Sequence, residues 1–244
     1  MEIHAHHLHK LPGKNFWHYF FEFFMLFLAI TAGFFTENLR EQRNERAEGL
    51  EYIKSFVNDL KKDTSTYSNI ISIYQEKKVA LDELYRCHDS VMMNLPCDCL
   101  GDLYTHSTGF PDLINANGTL QQLKSTGLRV INHDDADSIL EYDEHFRMLQ
   151  LNETTTIQET QTLIRNIGYE LFDFRIHDPR NALDGKKTAA LKILFSNNKP
   201  LLNKYFSALN RYRSICNDQI ADIGDLREHA IVLINYFRNK YHLE

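Results

Sequence analysis

The chain has 244 residues, a formal net charge of -6, 43% hydrophobic and 25% charged residues, and 5 Pro and 10 Gly. An acidic balance without a Lys/Arg block argues against a nucleic-acid partner. Scarce Pro permits long helices, and no low-complexity segment is evident.

Residues 1–15 read as a short arm with a turn signal at Pro12-Gly13. His4, His6, His7 and His9 put four imidazoles within six positions and are the candidate metal donors of the chain. Their spacing is loose and Glu2 is the one carboxylate beside them, so the plainer reading is an interfacial arm whose charge rises as pH falls. No cofactor is expected.

Phe16 to Thr36 follows, with 8 of the chain's 16 Phe and one formal charge, Glu22. About 20 apolar residues in helix span about 30 Å, the thickness of a bilayer's hydrocarbon core. Two other readings exist. Ala29-Ile30-Thr31-Ala32-Gly33 resembles a signal-peptide cleavage site, but the apolar run continues through Phe34 and Phe35. A buried soluble helix would not carry Phe on every face, which suits lipid. The expectation is a single uncleaved membrane anchor. Lys10 and Lys14 on one flank nearly balance Arg40, Arg43 and Arg46 on the other. A short N-terminal tail more often stays inside, which puts the large domain on the periplasmic side of a bacterial inner membrane.

Glu22 is an ionisable group inside the span, and such a group is a functional-site hypothesis by default. It reads either as a proton- or ion-binding residue of an oligomer, or as an interfacial carboxylate that snorkels to water. His18 stands one turn earlier, in partner position. Ala29 and Gly33 form a small-xxx-small pair that permits close approach of a second span.

From Glu37 the helical pattern continues without Pro to Leu95. Leu50, Ile53, Val57, Leu60, Tyr67, Ile71, Tyr74 and Leu81 form a heptad seam in which Thr64 and Lys78 fill the skipped seats. Asn94-Leu95-Pro96-Cys97 ends this helix, and residues 96–117 read as irregular. A short helix is predicted over Thr119–Ser125, capped by Gly127. Asn132, Asp134 and Asp135 supply the capping groups of a helix reaching about Phe174, with a weak point at Thr154-Thr155-Thr156. Asp134, Asp135 and Asp137 lack the Gly and the final Glu of a calcium loop, so capping is the better reading. A break at His177–Arg180 and a short helix over Gly185–Phe195 come next. The final helix has seats Leu202, Tyr205, Leu209, Tyr212, Cys216, Gln219, Ile223, Leu226, Ala230, Leu233 and Phe237. Tyr67, Tyr74, Tyr205 and Tyr212 in seam seats read as core rings with a polar edge rather than a ligand box.

Cys87, Cys97, Cys99 and Cys216 allow disulfides in an oxidising compartment. A metal reading would need His88 or His106 beside Cys97-Asp98-Cys99, a spacing that matches no established zinc pattern.

Glu22, Gly33, Asn38, Glu41 and Arg43 around the span's exit, Val57-Asn58-Asp59-Leu60-Lys61, and the stretch Thr119 to Ile131 together carry a resemblance. The chain resembles a large family of uncharacterised bacterial single-pass membrane proteins with an N-terminal anchor and a helical soluble domain. The exit Trp of that pattern is absent, with Leu39 nearby. The resemblance implies location and architecture and no activity.

The expected architecture is all-α: arm 1–15, transmembrane helix 16–36, and an elongated antiparallel long-helix bundle over 37–244 with an irregular insertion at about 95–118. The expected function is a membrane-anchored, non-catalytic scaffold or sensor-like interaction module. Its partners would be the bilayer, an unidentified protein, and further copies joined through the span and the coiled-coil seams. The alternative is an oligomeric ion- or proton-conducting protein built on Glu22.

Overall fold

No proline lies between Pro12 and Pro96, and helix α1 runs from Phe16 to Asp82. The computed structural model describes residues 16–95, 97, 100–126, 128–173, 194 and 196–243. It is helical throughout, with no strand among the described residues and one isolated antiparallel bridge between Phe172 and Leu194. After α1 come α2 (Leu84–Met92), α3 (Leu100–Ser107), α4 (Gly118–Thr126) and α5 (His133–Asn152). A π-helical turn (Glu153–Ile157), α6 (Gln158–Leu171) and α7 (Lys199–Tyr241) complete the described elements. The chain divides into two compact units, Met1–Gly49 and Leu50–Glu244.

In the first unit, residues 16–44 are exposed on every face. Among the described residues, α1 is the one helix long and apolar enough to cross a membrane, judged by length and composition. The four His of the arm lie outside the described residues.

The second unit is built on one apolar core. The seam seats of α7 are all buried, from Leu202 to Phe237, including Gln219, whose Nε2 has no partner among the described residues. A 3-4 apolar repeat over 43 residues makes one continuous stripe, which α6, α5 and α2 cover. Asn198 starts α7, its side chain accepting from Leu201 N at 3.3 Å, with Pro200 in the first turn where a missing N–H costs nothing.

Three local results depart from expectation. The helix that begins as α1 lapses at Glu83 and resumes as α2, which ends at Met92, and Asn94 just beyond it takes φ 60°. Residues 100–107, read as irregular, fold as α3. Leu100, Leu103, Tyr104 and Ser107 are all buried, a one-sided face at helical spacing that Gly101 disguises. The expected single helix from Asp135 to Phe174 is α5, the π turn and α6, with the irregularity at the Thr run. Thr154 Oγ1 donates to Leu151 O at 3.0 Å, and Thr155 Oγ1 to the same carbonyl at 2.9 Å. Hydroxyls that bond back to the preceding turn compete with the regular ladder. The expected break at His177–Arg180 lies outside the described residues, as do the Gly127 cap and most of the expected helix at Gly185–Phe195. Leu128, next to that cap, takes φ 56° and its N–H donates to Leu123 O at 3.0 Å.

Cys87 on α2 is disulfide-bonded to Cys97, ten positions on. Cys216 is free and buried in α7. Closing a loop of that length removes freedom from the unfolded chain, so Cys97→Ser is expected to cost about 2 kcal/mol. Urea unfolding checks this: dithiothreitol should lower the wild-type midpoint and leave the variant's unchanged.

Candidate functional site

The segment 108–117 between α3 and α4 has no regular structure, so its backbone groups have no ladder to pair with. Side chains from three helical elements supply the partners. From α1, Lys77 Nζ donates to His106 O at 3.3 Å and Thr108 O at 3.1 Å. Asp63 Oδ1 accepts from Ala116 N at 2.6 Å. Asp59 Oδ2 accepts from Thr119 Oγ1 at 2.6 Å and Thr119 N at 3.4 Å. The π turn adds Glu153, whose two carboxylate oxygens accept from Leu113 N at 3.2 and 3.0 Å. From α7, Tyr212 donates to Gly109 O at 3.0 Å. Gly109 has φ 69°, a conformation a Cβ would strain.

This clasp joins two motif patches that the sequence reading treated separately. Asp59, from Val57–Lys61, anchors the first turn of α4, where a carboxylate also meets the positive end of the helix dipole. Ser55 and Thr119 exchange a further bond at 2.8 Å. Behind Asp63 stands a tyrosine pair: Tyr142 donates to Asp63 Oδ2 at 2.9 Å, and the Tyr67 and Tyr142 hydroxyls meet at 2.9 Å. The seam tyrosines are core, as expected, and the hydroxyls of Tyr67, Tyr205 and Tyr212 find defined partners.

Burial sets the electrostatics. It pushes the Asp63 carboxyl above its ordinary 3.8 against the bonds from Ala116 and Tyr142. Glu153 is raised chiefly by burial and by nearby Asp112, and Lys77 is lowered by burial. Tyr67 and Tyr142 are both raised, desolvation first, so the hydroxyls stay protonated donors. Asp63, Glu153 and Lys77 are each shifted toward neutrality, which limits the cost of enclosing them. An open groove of about 540 Å³ borders the loop, with Ile114, Leu151 and Arg147 on its walls.

Pattern reading missed this arrangement by one residue, twice. The skipped seats at Thr64 and Lys78 are flanked by Asp63 and Lys77, and those two turn inward. Lys78 instead pairs with Asp82 at 2.7 Å. Steps of three and of four both return to the same side of a helix, so each gap of seven between buried seats can be filled at either position, and here the i+3 residue fills it.

The other candidates fall elsewhere. Glu22 and His18 lie on the exposed apolar part of α1, with no ion pair between them among the described contacts. Asn132 caps α5 as expected, accepting from Asp134 N at 3.0 Å. Asp137 pairs with His133 at 3.0 Å. Asp135 does more than its expected share: fully buried, it accepts from Tyr236 OH at 2.8 Å, from Lys240 Nζ at 2.7 Å and from Tyr241 OH, all near the end of α7. His88 bonds Asp89 at 2.9 Å and stands edge-on to Phe206, while Cys97, the thiol that a metal reading would need beside it, is in the disulfide. Cys99 lies outside the described residues.

No family model matches the chain, and no curated protein or solved structure is significantly similar to it.

Proposed function

We propose that the protein is a membrane-anchored, non-catalytic interaction module in which α1 couples the packing of the helical domain to the span. The observation that carries the reading is the course of α1: one helix holds both the exposed Phe-rich segment and the clasp residues Asp59, Asp63 and Lys77. Burying one Phe side chain is worth about 1.5–3 kcal/mol. Eight such rings left in water would forfeit roughly 12–24 kcal/mol, as much as a whole domain's stability. A bilayer removes that cost. The resemblance to the single-pass family supports the same location. A Cys87–Cys97 disulfide fits a domain on the oxidising, periplasmic side. In the proposal the long helices form an antiparallel bundle whose packing state is passed along α1.

Trp17, the chain's one Trp, sits at the start of the span and provides the test. In vesicles, Trp17 emission should shift at the urea concentration where far-UV circular dichroism reports unfolding. Two Gly inserted after Gln42 should leave the dichroism midpoint within about 0.5 kcal/mol and flatten the Trp17 response. A wild-type Trp17 signal indifferent to unfolding removes the coupling, and release of the chain by alkaline carbonate removes the anchor. Conductance that depends on Glu22, read with Glu22→Gln in the same vesicles, would favour the ion-path alternative.

A further inference from the structure

Two helices of the second unit bring a pair of imidazoles together. His145 on α5 and His229 on α7 face each other with their Nδ1 atoms 3.4 Å apart. Their rings are tilted by 34° with centroids 5.7 Å apart, and both are half-buried. Two nitrogens each bound at 2.0–2.1 Å to a tetrahedral ion lie about 3.3 Å apart. The observed separation is therefore that of one edge of a tetrahedral metal site.

The surroundings suit that use. The Tyr142 ring stands edge-on to His229, with centroids 5.6 Å apart, and holds one side of the imidazole in place. Each helix also brings a carboxylate. Glu141, one turn before His145, acts electrostatically on His229. Asp222, two turns before His229, is raised by burial and by Asp218 and Asp225 and lowered by the nearby His145. The two helices thus contribute two imidazoles and two flanking carboxylates.

We propose that His145 and His229 are the nitrogen donors of a Zn²⁺-class divalent metal site, completed by Glu141 or Asp222 and by water. No set of three or more donors already converges among the described residues, so the carboxylate arrives by a change of rotamer. In the metal-free pair one Nδ1–H donates to the other Nδ1. On binding, that ring moves its proton to Nε2, both Nδ1 lone pairs turn to the ion, and no proton is released and no electron transferred. Nitrogen donors select Zn²⁺ over the oxygen-seeking Mg²⁺ and Ca²⁺. A site bridging α5 and α7 would also tie those helices together across the core.

The test is calorimetric titration of the full chain in detergent micelles at pH 7.5, with His4, His6, His7 and His9 replaced by Ala so that the arm does not compete. One Zn²⁺ per chain is expected, with no heat from Mg²⁺. His229→Ala should weaken binding at least tenfold, and His145→Gln, which keeps volume at a half-exposed position, should do the same. Co²⁺ in place of Zn²⁺ should give the visible absorption of a tetrahedral site, lost in both variants. The arm-substituted chain failing to bind Zn²⁺, or binding it equally well after His145→Gln, overturns the proposal.

Discussion

Asp63→Ala should lower the stability of the helical domain by about 3 kcal/mol, because it strands the half-buried Ala116 N–H and a buried hydroxyl at once. Ala116 N and Tyr142 OH both donate to this carboxylate, which is 2% exposed. In a domain of this size the loss corresponds to a melting shift of about 6–12 °C. Asp63→Asn keeps an acceptor for Ala116 and offers its amide to the Tyr142 oxygen, so it should recover most of the loss. The two variants also differ in pH response. The folded pKa of Asp63 lies above its ordinary 3.8. Between those values the folded chain holds a proton that the unfolded chain has released. The Asp63 contribution is therefore complete below the ordinary value and declines as pH rises through the folded one. Asp63→Asn cannot titrate and should lack that decline. Urea unfolding of the full chain in micelles, repeated from pH 4 upward, measures both effects. Equal stability of the Ala variant and the wild type would show that the clasp contributes nothing.

Asp135→Ala should cost about 2–3 kcal/mol and act mainly at one end of α7. The side chain is fully buried and gathers Tyr236, Lys240 and Tyr241 from the last turns of that helix. Burial comes first in raising the Tyr241 hydroxyl to about 12, followed by its bond to Asp135. The bond to Asp135 comes first in raising Lys240. Loss of the carboxylate leaves both tyrosine hydroxyls seeking water, while Lys240, itself partly exposed, turns outward at little cost. Hydrogen exchange should show lost protection over residues 234–241 and unchanged protection around Leu209. A uniform loss along α7 would instead mean that Asp135 supports the core as a whole.

The helices were legible where a single physical rule governs them. Every seat named for α7 is buried, because a 43-residue helix with an unbroken 3-4 repeat has one way to hide its stripe. The Thr run at 154–156 announced a weak point through its modest helix propensity, though not that the defect would be a π turn carrying Glu153. The clasp was not legible. Asp63, Lys77 and Glu153 are polar residues in an apolar face, and their partners are backbone atoms some 30 to 50 positions away. Local periodicity carries no information about such pairing. Asp135 illustrates the same limit: its capping position was evident in sequence, whereas its bonds to α7 span about a hundred residues. The Cys87–Cys97 pairing was one of several that four cysteines allow.

The path of the chain from Thr108 to Ala116 is written almost entirely in helices that lie elsewhere in the sequence. Its own residues contribute backbone N–H groups, which every amino acid but proline possesses, and carbonyls, which all possess. That separates shape from surface. Side chains at outward positions such as Ile114 can be exchanged freely while Asp59, Asp63, Lys77, Glu153 and Tyr212 keep the backbone where it is. The segment behaves as an interchangeable face mounted on a fixed frame, and among descendants of this chain its outward letters should drift while Gly109, the buried Leu113 and the five mounting points stand still.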